Sequence, residues 1–339
     1  MHPDRSAEME AAVDTDLDRA FAVEEAPAGG DAAGPVAVAS AEGLEHRVGR
    51  WDGPSGRLLR TALALVAFLV ALGVVWEVFK WLAGDPWRFP AFGYEHRPPF
   101  RLLQAQDLQL PHLWDIAAAL LDPVQRNADQ SLGQFLVGAA FATWLEAAIG
   151  FMVGTFIGVV LASVFVHSLT AERAFVPYLI ASQTIPIIAL APLLIEGLGR
   201  GLASVVFIAA YLTFFPVTIA EMRGLRSPDP RALELMRSYA ASRWQTLWKV
   251  RMPASMPYLF TALKIAATAS VVGAIIGEDP AGTANGLGRA IVNFNQQYVT
   301  GPEKLWATIL IASVAGIAFY TLVRAAEVVT LRHRSPVHL

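Results

Sequence analysis

The sequence predicts an all-α integral membrane protein with six transmembrane helices and a basic loop between the fourth and fifth. The 339 residues are 55% hydrophobic and only 16% charged, so one soluble core could not bury the apolar side chains. Six apolar stretches are each long enough to cross a bilayer core, which takes about 20 helical residues. Lysine and arginine cluster in loops that a six-span arrangement places on the same side.

An acidic tail precedes the first apolar stretch. Residues 1–50 hold 11 acidic and 4 basic side chains, whereas the whole chain has a net charge of only −3. Residues 24–31 illustrate its composition, which offers little apolar surface to offset the entropy lost on ordering. We therefore expect a disordered tail at 1–50, either a solvated extension or a regulatory segment, and a transmembrane domain at 51–339.

Hydropathy sets the boundaries of the six predicted spans. They cover residues 58–82, 135–166, 176–195, 203–222, 258–277 and 305–329. Pro177, Pro186 and Pro192 should bend the third span, because proline removes a backbone donor and clashes with the preceding turn. Segment 84–131 is rich in proline and aromatic residues, so we expect an irregular outer loop with one short helix near its end.

Positive charge predicts the orientation of these spans. Arginines precede the first span, seven basic residues occupy the loop at 223–256, and the chain ends shortly after the basic residues at 332–334. Loops rich in lysine and arginine tend to stay in the cytoplasm. Both termini and the loop at 223–256 should therefore be cytoplasmic.

The loop at 223–256 begins with a helix-start signal. Asp229 can cap a helix whose first position is Pro230, where no backbone donor is needed. This pattern predicts a short helix from Pro230 to about Tyr239.

A second start signal follows in the same loop. Ser242 with Gln245 three residues later matches a capping box, and we expect Pro253 and Pro257 to end this second helix before span five. Two short, rigid helices at an angle could fit into a groove of a partner protein. They could equally lie on anionic lipid, for which basic charge and tryptophan also suffice.

The membrane domain contains several candidate pathway residues. Glu146 lies on a stripe of small residues repeating every four positions, where it could line a pathway or hold two helices together. Gln183 and Thr184 precede Pro186, and carbonyls freed by a bend are tolerated only if they face protein or a cavity. Glu278 and Asn293 belong to a polar, glycine-containing segment after span five, which we expect to form an outer loop.

The loop at 223–256 resembles the docking motif of bacterial ATP-binding-cassette (ABC) importer permeases. That motif is written E-A-A, three residues, G, nine residues, I, one residue, L-P. Its Glu, Gly, Ile, Leu and Pro positions correspond to Glu234, Ala240, Val250, Met252 and Pro253. Leucine and methionine replace the two alanines, and alanine replaces the glycine, which places close helix approach at that turn in doubt. The resemblance covers roughly residues 110–330 and is to the subgroup for nitrate, sulfonates, taurine, pyrimidine thiamine precursors and riboflavin.

This resemblance implies the permease subunit of an ATP-driven importer in a bacterial inner membrane, working by alternating access for a small solute. It implies three protein partners besides lipid: cytoplasmic ATPase subunits, a second permease copy forming a homodimer, and an extracytoplasmic solute-binding protein. The residues expected to couple to the ATPase are Glu234, Arg237, Ala240, Arg243, Lys249 and Pro253. The sequence has no Gly-x-x-x-x-Gly-Lys-Ser/Thr phosphate loop. We therefore expect a non-enzymatic chain without cofactor, metal or nucleic acid, whose partner uses the ATP.

Two other classes of protein stay open on the residues alone. A gradient-driven transporter would be expected to have paired repeats with intramembrane ion ligands, and no clear internal repeat is present. A membrane-embedded enzyme would cluster acid, base or metal-binding residues at one depth. Glu146, Lys264 and Glu278 are scattered along the sequence and predict no such cluster.

Overall fold

The structure, a computed structural model, describes residues 54–89, 94–125, 128–283 and 285–331. The predicted acidic tail and the basic residues at 332–334 lie outside the described residues. The chain divides into two compact units, residues 1–67 and 68–339. In the first unit the described part is the beginning of helix α1, and all other described elements belong to the second.

Helices make up most of the described chain. They are α1 (Pro54–Ala83), α2 (Leu113–Ala119), α3 (Leu132–His167), α4 (Leu169–Ser182), α5 (Ile187–Leu198), α6 (Leu202–Leu225), α7 (Pro230–Ser238), α8 (Arg243–Thr246), α9 (Met252–Ala281), α10 (Leu287–Gln296) and α11 (Pro302–Leu331). A π-helical segment at Leu247–Arg251 joins α8 to α9, and 3-10 turns lie at Leu103–Ala105 and Tyr298–Thr300.

A short hairpin departs from the all-α prediction. Strands β1 (Trp87–Phe89) and β2 (Tyr94–His96) pair antiparallel, with Trp87 opposite His96. The composition of this segment predicted irregular backbone, yet pairing the two strands satisfies backbone groups that would otherwise need water. The short helix expected near the end of the segment is confirmed as α2.

Five helical runs are long and apolar enough to cross a membrane. They are Val66–Ala83 within α1, α3, α6, the continuous run Arg243–Ala281, and α11. The bend predicted for the third span is confirmed, because α4 and α5 are bent by 104° across a short break, while Pro177 and Pro192 lie inside these two helices. Pro186 is the N-cap of α5, so its missing backbone donor coincides with the break. The chain has up to six spans if this bent pair crosses the bilayer as one.

Polar contacts fasten the segment between α1 and α3 to the end of α1. Glu77 accepts a hydrogen bond from the Leu113 backbone N–H at 2.8 Å and lies 2.7 Å from His112 Nδ1. The fully buried Lys80 extends its ammonium to Asp107 at 2.5 Å. These contacts hold α2 against α1.

Helix α6 packs between α3 and α9 because both neighbours present glycine to it. A Cβ on Gly150 of α3 would lie 2.4 Å from Ala209 Cβ, and one on Gly273 of α9 would lie 2.8 Å from Ala209 Cα. A Cβ on Gly154 would come within 2.6 Å of a carbonyl oxygen of α6. The close approach predicted for the small-residue stripe is thus confirmed here, but Gly138 at its start has no atom within 4 Å of a Cβ.

Candidate functional site

The loop at residues 223–256, called the basic loop below, begins with the predicted short helix. The Asp229 side chain accepts a hydrogen bond from the Arg231 backbone N–H at 2.8 Å, and Pro230 occupies the first helical position. Helix α7 then runs to Ser238. The cap, the start and the approximate end of this helix are confirmed.

Helix α7 ends in a left-handed turn at Ala240. This residue has a φ of 47°, and no other non-glycine residue in the described chain has a positive φ. The Ala241 N–H donates to the Met236 carbonyl and the Ala240 N–H to the Arg237 carbonyl, both at 2.9 Å, which is a Schellman motif. Glycine adopts this backbone without the steric cost of a Cβ. In this chain the motif's glycine position is therefore a left-handed turn, a backbone that glycine would adopt more easily than alanine.

The second helix of the basic loop starts as predicted but does not end as predicted. Ser242 Oγ accepts the Gln245 N–H at 3.2 Å, and Gln245 Oε1 accepts the Ser242 N–H at 2.9 Å, completing the capping box. Pro253 and Pro257 do not end this helix, which continues unbroken to Ala281. The wider π turn immediately before α9 places Pro253 in a first turn, where a missing N–H is tolerated.

Four large apolar side chains of the basic loop are each more than half exposed: Leu235, Tyr239, Trp244 and Trp248. We call these four residues the aromatic face. The two indole rings pack edge to face with centroids 5.6 Å apart. Leu247 points the other way and is only 4% exposed, within a buried cluster contributed mainly by α3 and α6. The loop is thus fixed on its inner side and apolar on its outer side.

The charged residues predicted for coupling are all exposed: Glu234, Arg237, Arg243 and Lys249. Arg237 and Arg243 come together with Arg251 around a cavity of about 370 Å³. Sequence reasoning predicted the charge of this loop but not the cavity, because the cavity forms where the loop meets the end of α3.

Two intramembrane carboxyl groups meet between α3 and α9. Glu146 is 8% exposed and Glu278 is fully buried, and their side chains face each other. The prediction of an outer loop at Glu278 is wrong, because α9 continues to Ala281. One oxygen on each, Oε2 of Glu146 and Oε1 of Glu278, has no hydrogen-bond partner in the described chain. A proton on either carboxyl would let it donate to the other.

Glu278 also holds the start of α10. Its Oε2 accepts the Gly288 backbone N–H at 2.5 Å, while Thr143 Oγ1 of α3 accepts the Leu287 N–H at 2.9 Å. A Cβ on Gly288 would lie 2.0 Å from a carbonyl oxygen of α9, and one on Gly286 would lie 2.3 Å from the Glu278 carboxyl. Helices α3, α9 and α10 therefore meet at a point that only glycine backbone can occupy.

The other candidate pathway residues lie elsewhere. Gln183 and Thr184 fall at the bend between α4 and α5, where Tyr211 Oη donates to the Ser182 carbonyl at 2.5 Å. Asn293 is exposed on α10. Across the described ranges, no hydrogen bond or ion pair joins these three candidates to the carboxyl pair, and no group of three acidic or histidine side chains could hold a metal ion.

Two further polar pairs within the apolar helices were not predicted. Ser255 Oγ donates to Glu221 at 2.6 Å, and both side chains are fully buried. Lys264 of α9 lies 2.8 Å from Glu327 of α11. A lone charge inside an apolar stretch normally has a partner in the fold, so each charge was a signal, although the sequence could not identify the partner.

Comparison with known proteins places this geometry in context. Residues 154–327 match the family described as binding-protein-dependent transport system inner membrane component. The formylaminopyrimidine transport permease protein ThiX of Halalkalibacterium halodurans is 30% identical over 276 residues, covering 80% of this chain and 96% of the relative. The riboflavin transport system permease protein RibX of Chloroflexus aurantiacus is 35% identical over 156 residues, covering 46% of this chain and 55% of the relative. The family match includes the basic loop and Glu278.

Proposed function

Because the chain belongs to the binding-protein-dependent transport system inner membrane components and is the permease subunit of an ABC importer, we propose that its basic loop docks on separate ATPase subunits. The observation that carries this proposal is the aromatic face, which exposes four large apolar side chains on an otherwise charged loop. A contiguous apolar surface rimmed by polar residues marks an interaction site. A groove on the ATPase would cover it.

The rigidity of the loop supports a role in transmitting force. Both short helices are capped by side chains, and Leu247 is anchored under α3 and α6. The run from Arg243 to Ala281 has no break, so a displacement of the loop passes directly into a membrane helix. A flexible connection would absorb the same displacement.

The proposed coupling residues contribute in three ways. Glu234 and Lys249 are exposed and would form the charged rim of the docking surface. Ala240 sets the direction of the chain between the two short helices, and Pro253 lies in the first turn of α9. Arg237 and Arg243, which line the cavity behind the loop, would fix the loop to the membrane helices.

In the proposed transport cycle, closing of the ATP-loaded ATPases moves two basic loops together and the spans follow as rigid bodies. The pathway then opens alternately to either side at the interface with a second copy of this chain, making a homodimer. We propose Glu146, Gln183, Thr184, Glu278 and Asn293 as pathway residues. Among them, Glu146 and Glu278 join α3 to α9, so their contact would change if these helices shift.

The membrane arrangement that we propose has both termini and the basic loop in the cytoplasm of a bacterial cell, with a separate acidic tail at 1–50 and the permease domain at 51–339. Seven basic residues in the loop support this orientation. The segment at 84–131 would then face an extracytoplasmic solute-binding protein. ThiX and RibX are named for formylaminopyrimidine and riboflavin, so a small nitrogen heterocycle is the first solute to test.

Docking is tested by removing the aromatic face. The variant Trp244→Ser/Trp248→Ser is compared with Phe100→Ser, a control that removes an exposed aromatic ring outside the basic loop. A central aromatic contact contributes about 2 kcal/mol or more, which is about 30-fold for one tryptophan and about 800-fold for two additive ones. The double variant should therefore bind the ATPase about 30- to 800-fold more weakly and lose solute-stimulated ATP hydrolysis in proteoliposomes.

The control should bind the ATPase as tightly as the unmodified protein. The tryptophan variant could instead bind the ATPase fully and show weaker association of the loop with anionic vesicles. That result would mean that the aromatic face lies on lipid.

A further inference from the structure

A cavity of about 370 Å³ lies where the basic loop meets the end of α3. Its walls come from the end of α3, from α7, and from the helical run that starts at Arg243. Three arginines and a histidine line it: Arg237, Arg243, Arg251 and His167. We propose that this cavity binds a phosphate-type anion, supplied either by a lipid headgroup or by free phosphate.

The first support is uncompensated charge. The cavity lining contains no aspartate or glutamate, and none of its three arginines forms an ion pair in the described chain. Glu172, on the neighbouring α4, is already engaged by Arg226, with two oxygen–nitrogen contacts of 3.0 and 2.5 Å. Arg226 and Arg237 both repel Arg251. A bound anion would relieve this repulsion between like charges.

The second support is a preorganised set of donors. One nitrogen of Arg251 donates to the Leu225 carbonyl at 2.8 Å, which fixes the guanidinium at the end of α6 and leaves other N–H groups for a ligand. His167 Nδ1 lies 2.7 Å from the Ser163 carbonyl oxygen. A carbonyl only accepts, so Nδ1 carries the hydrogen, and Nε2 can donate to an anion only when the ring is the doubly protonated imidazolium. These two side chains are held by backbone before any ligand arrives.

The third support is position. Val166 and His167 belong to the last turn of α3, a membrane-spanning helix, and both line the cavity. Because α3 holds 36 residues, about 54 Å at 1.5 Å per residue, and the hydrocarbon core is about 30 Å thick, the end of α3 can reach the headgroup region, where lipid phosphates are found. Guanidinium groups pair with phosphate through two parallel N–H···O bonds.

Binding at this position would have a mechanical consequence. Arg237 is on α7, Arg243 begins α8, and His167 ends α3. An anion held by all three would tie the two loop helices to a span that lies outside the Arg243–Ala281 run. The basic loop and α3 would then move together.

The experiment uses the purified full-length permease without ATPase. Melting temperature is measured in an uncharged detergent with sodium phosphate, against sodium chloride at equal ionic strength. It is measured again in nanodiscs of phosphatidylglycerol, against nanodiscs of an uncharged galactolipid that lacks phosphate. The cavity variant is Arg237→Gln/Arg243→Gln, and the control Arg223→Gln/Arg231→Gln removes two exposed arginines of the same loop that do not line the cavity.

We expect an anion-dependent rise of about 2–4 °C in the unmodified protein and in the control, and no rise in the cavity variant. A rise with phosphate in detergent identifies a free anion as sufficient, and a rise only in phosphatidylglycerol identifies the headgroup. An equal response of the two variants, or no response of the unmodified protein to either source, would overturn the proposal. Because no ATPase is present, such a failure would leave the docking proposal untouched.

Discussion

Replacing Ala240 by glycine should stabilise the turn that ends α7. A left-handed backbone costs a residue with a Cβ about 1–2 kcal/mol, and Ala240 has a φ of 47°. Glycine removes this cost but loses about 0.4–1 kcal/mol through the greater freedom of the unfolded chain. The net gain should be about 0.5–1 kcal/mol, which lowers the population of the locally opened turn about 2- to 5-fold. Both Schellman hydrogen bonds are kept, since neither uses a side chain.

Hydrogen exchange measured by mass spectrometry on peptides covering residues 236–246 reads this opening directly, because the Ala240 and Ala241 amides are protected only by the turn. Exchange in Ala240→Gly should be about 2- to 5-fold slower than in the unmodified protein. The matched control is Ala241→Gly, one residue on, where φ is not positive. Glycine there brings only the entropic loss, so exchange should be faster. Faster exchange in Ala240→Gly, or the same response in both variants, would refute the strained-turn argument.

Two further predictions concern the membrane helices. Gly288→Ala should destabilise the permease by about 2–4 kcal/mol, because a Cβ would lie 2.0 Å from a carbonyl oxygen and would displace the N–H bound to Glu278. The control is Gly316→Ala, which has no atom within 4 Å of its Cβ and should leave the melting temperature unchanged or raise it. Lys264→Met and Glu327→Gln should each cost about 1–3 kcal/mol by leaving a partly buried charge unpaired. In a double-mutant cycle, the variant with both substitutions should lose about 1 kcal/mol less unfolding free energy than the two single variants lose together. If the losses simply add, Lys264 and Glu327 do not stabilise each other.

Local signals predicted the basic loop well because each depends on residues only a few positions apart. The Asp229 cap and the Ser242–Gln245 capping box both formed where the sequence placed them. The expectation that Pro253 would end a helix failed, because a π turn rearranged the hydrogen bonds ahead of it. That rearrangement depends on how the loop packs against α3 and α6, which no short sequence window contains.

The contact between the two carboxyl groups could not be predicted from the sequence, for a different reason. Glu146 and Glu278 are separated by more than 130 residues, and composition near Glu278 resembled a loop. The burial of Glu278 depends on the start of α10 folding back so that the Gly288 N–H donates to the Glu278 carboxyl. Periodicity indicates that a glutamate lies on a helix face, but it does not indicate which distant backbone group will meet that face.

One continuous helical run, from Arg243 to Ala281, connects the basic loop to the carboxyl pair. Each end is fastened to a different neighbour: Arg251 donates to the Leu225 carbonyl of α6, and Glu278 accepts the Gly288 N–H of α10. The run holds 39 residues and has no break, so at 1.5 Å per residue it is about 58 Å long. A displacement of the loop cannot be absorbed by a flexible joint within this length. It must either bend the π segment, where the helical hydrogen bonds are least regular, or shift Glu278 against α3 and α10.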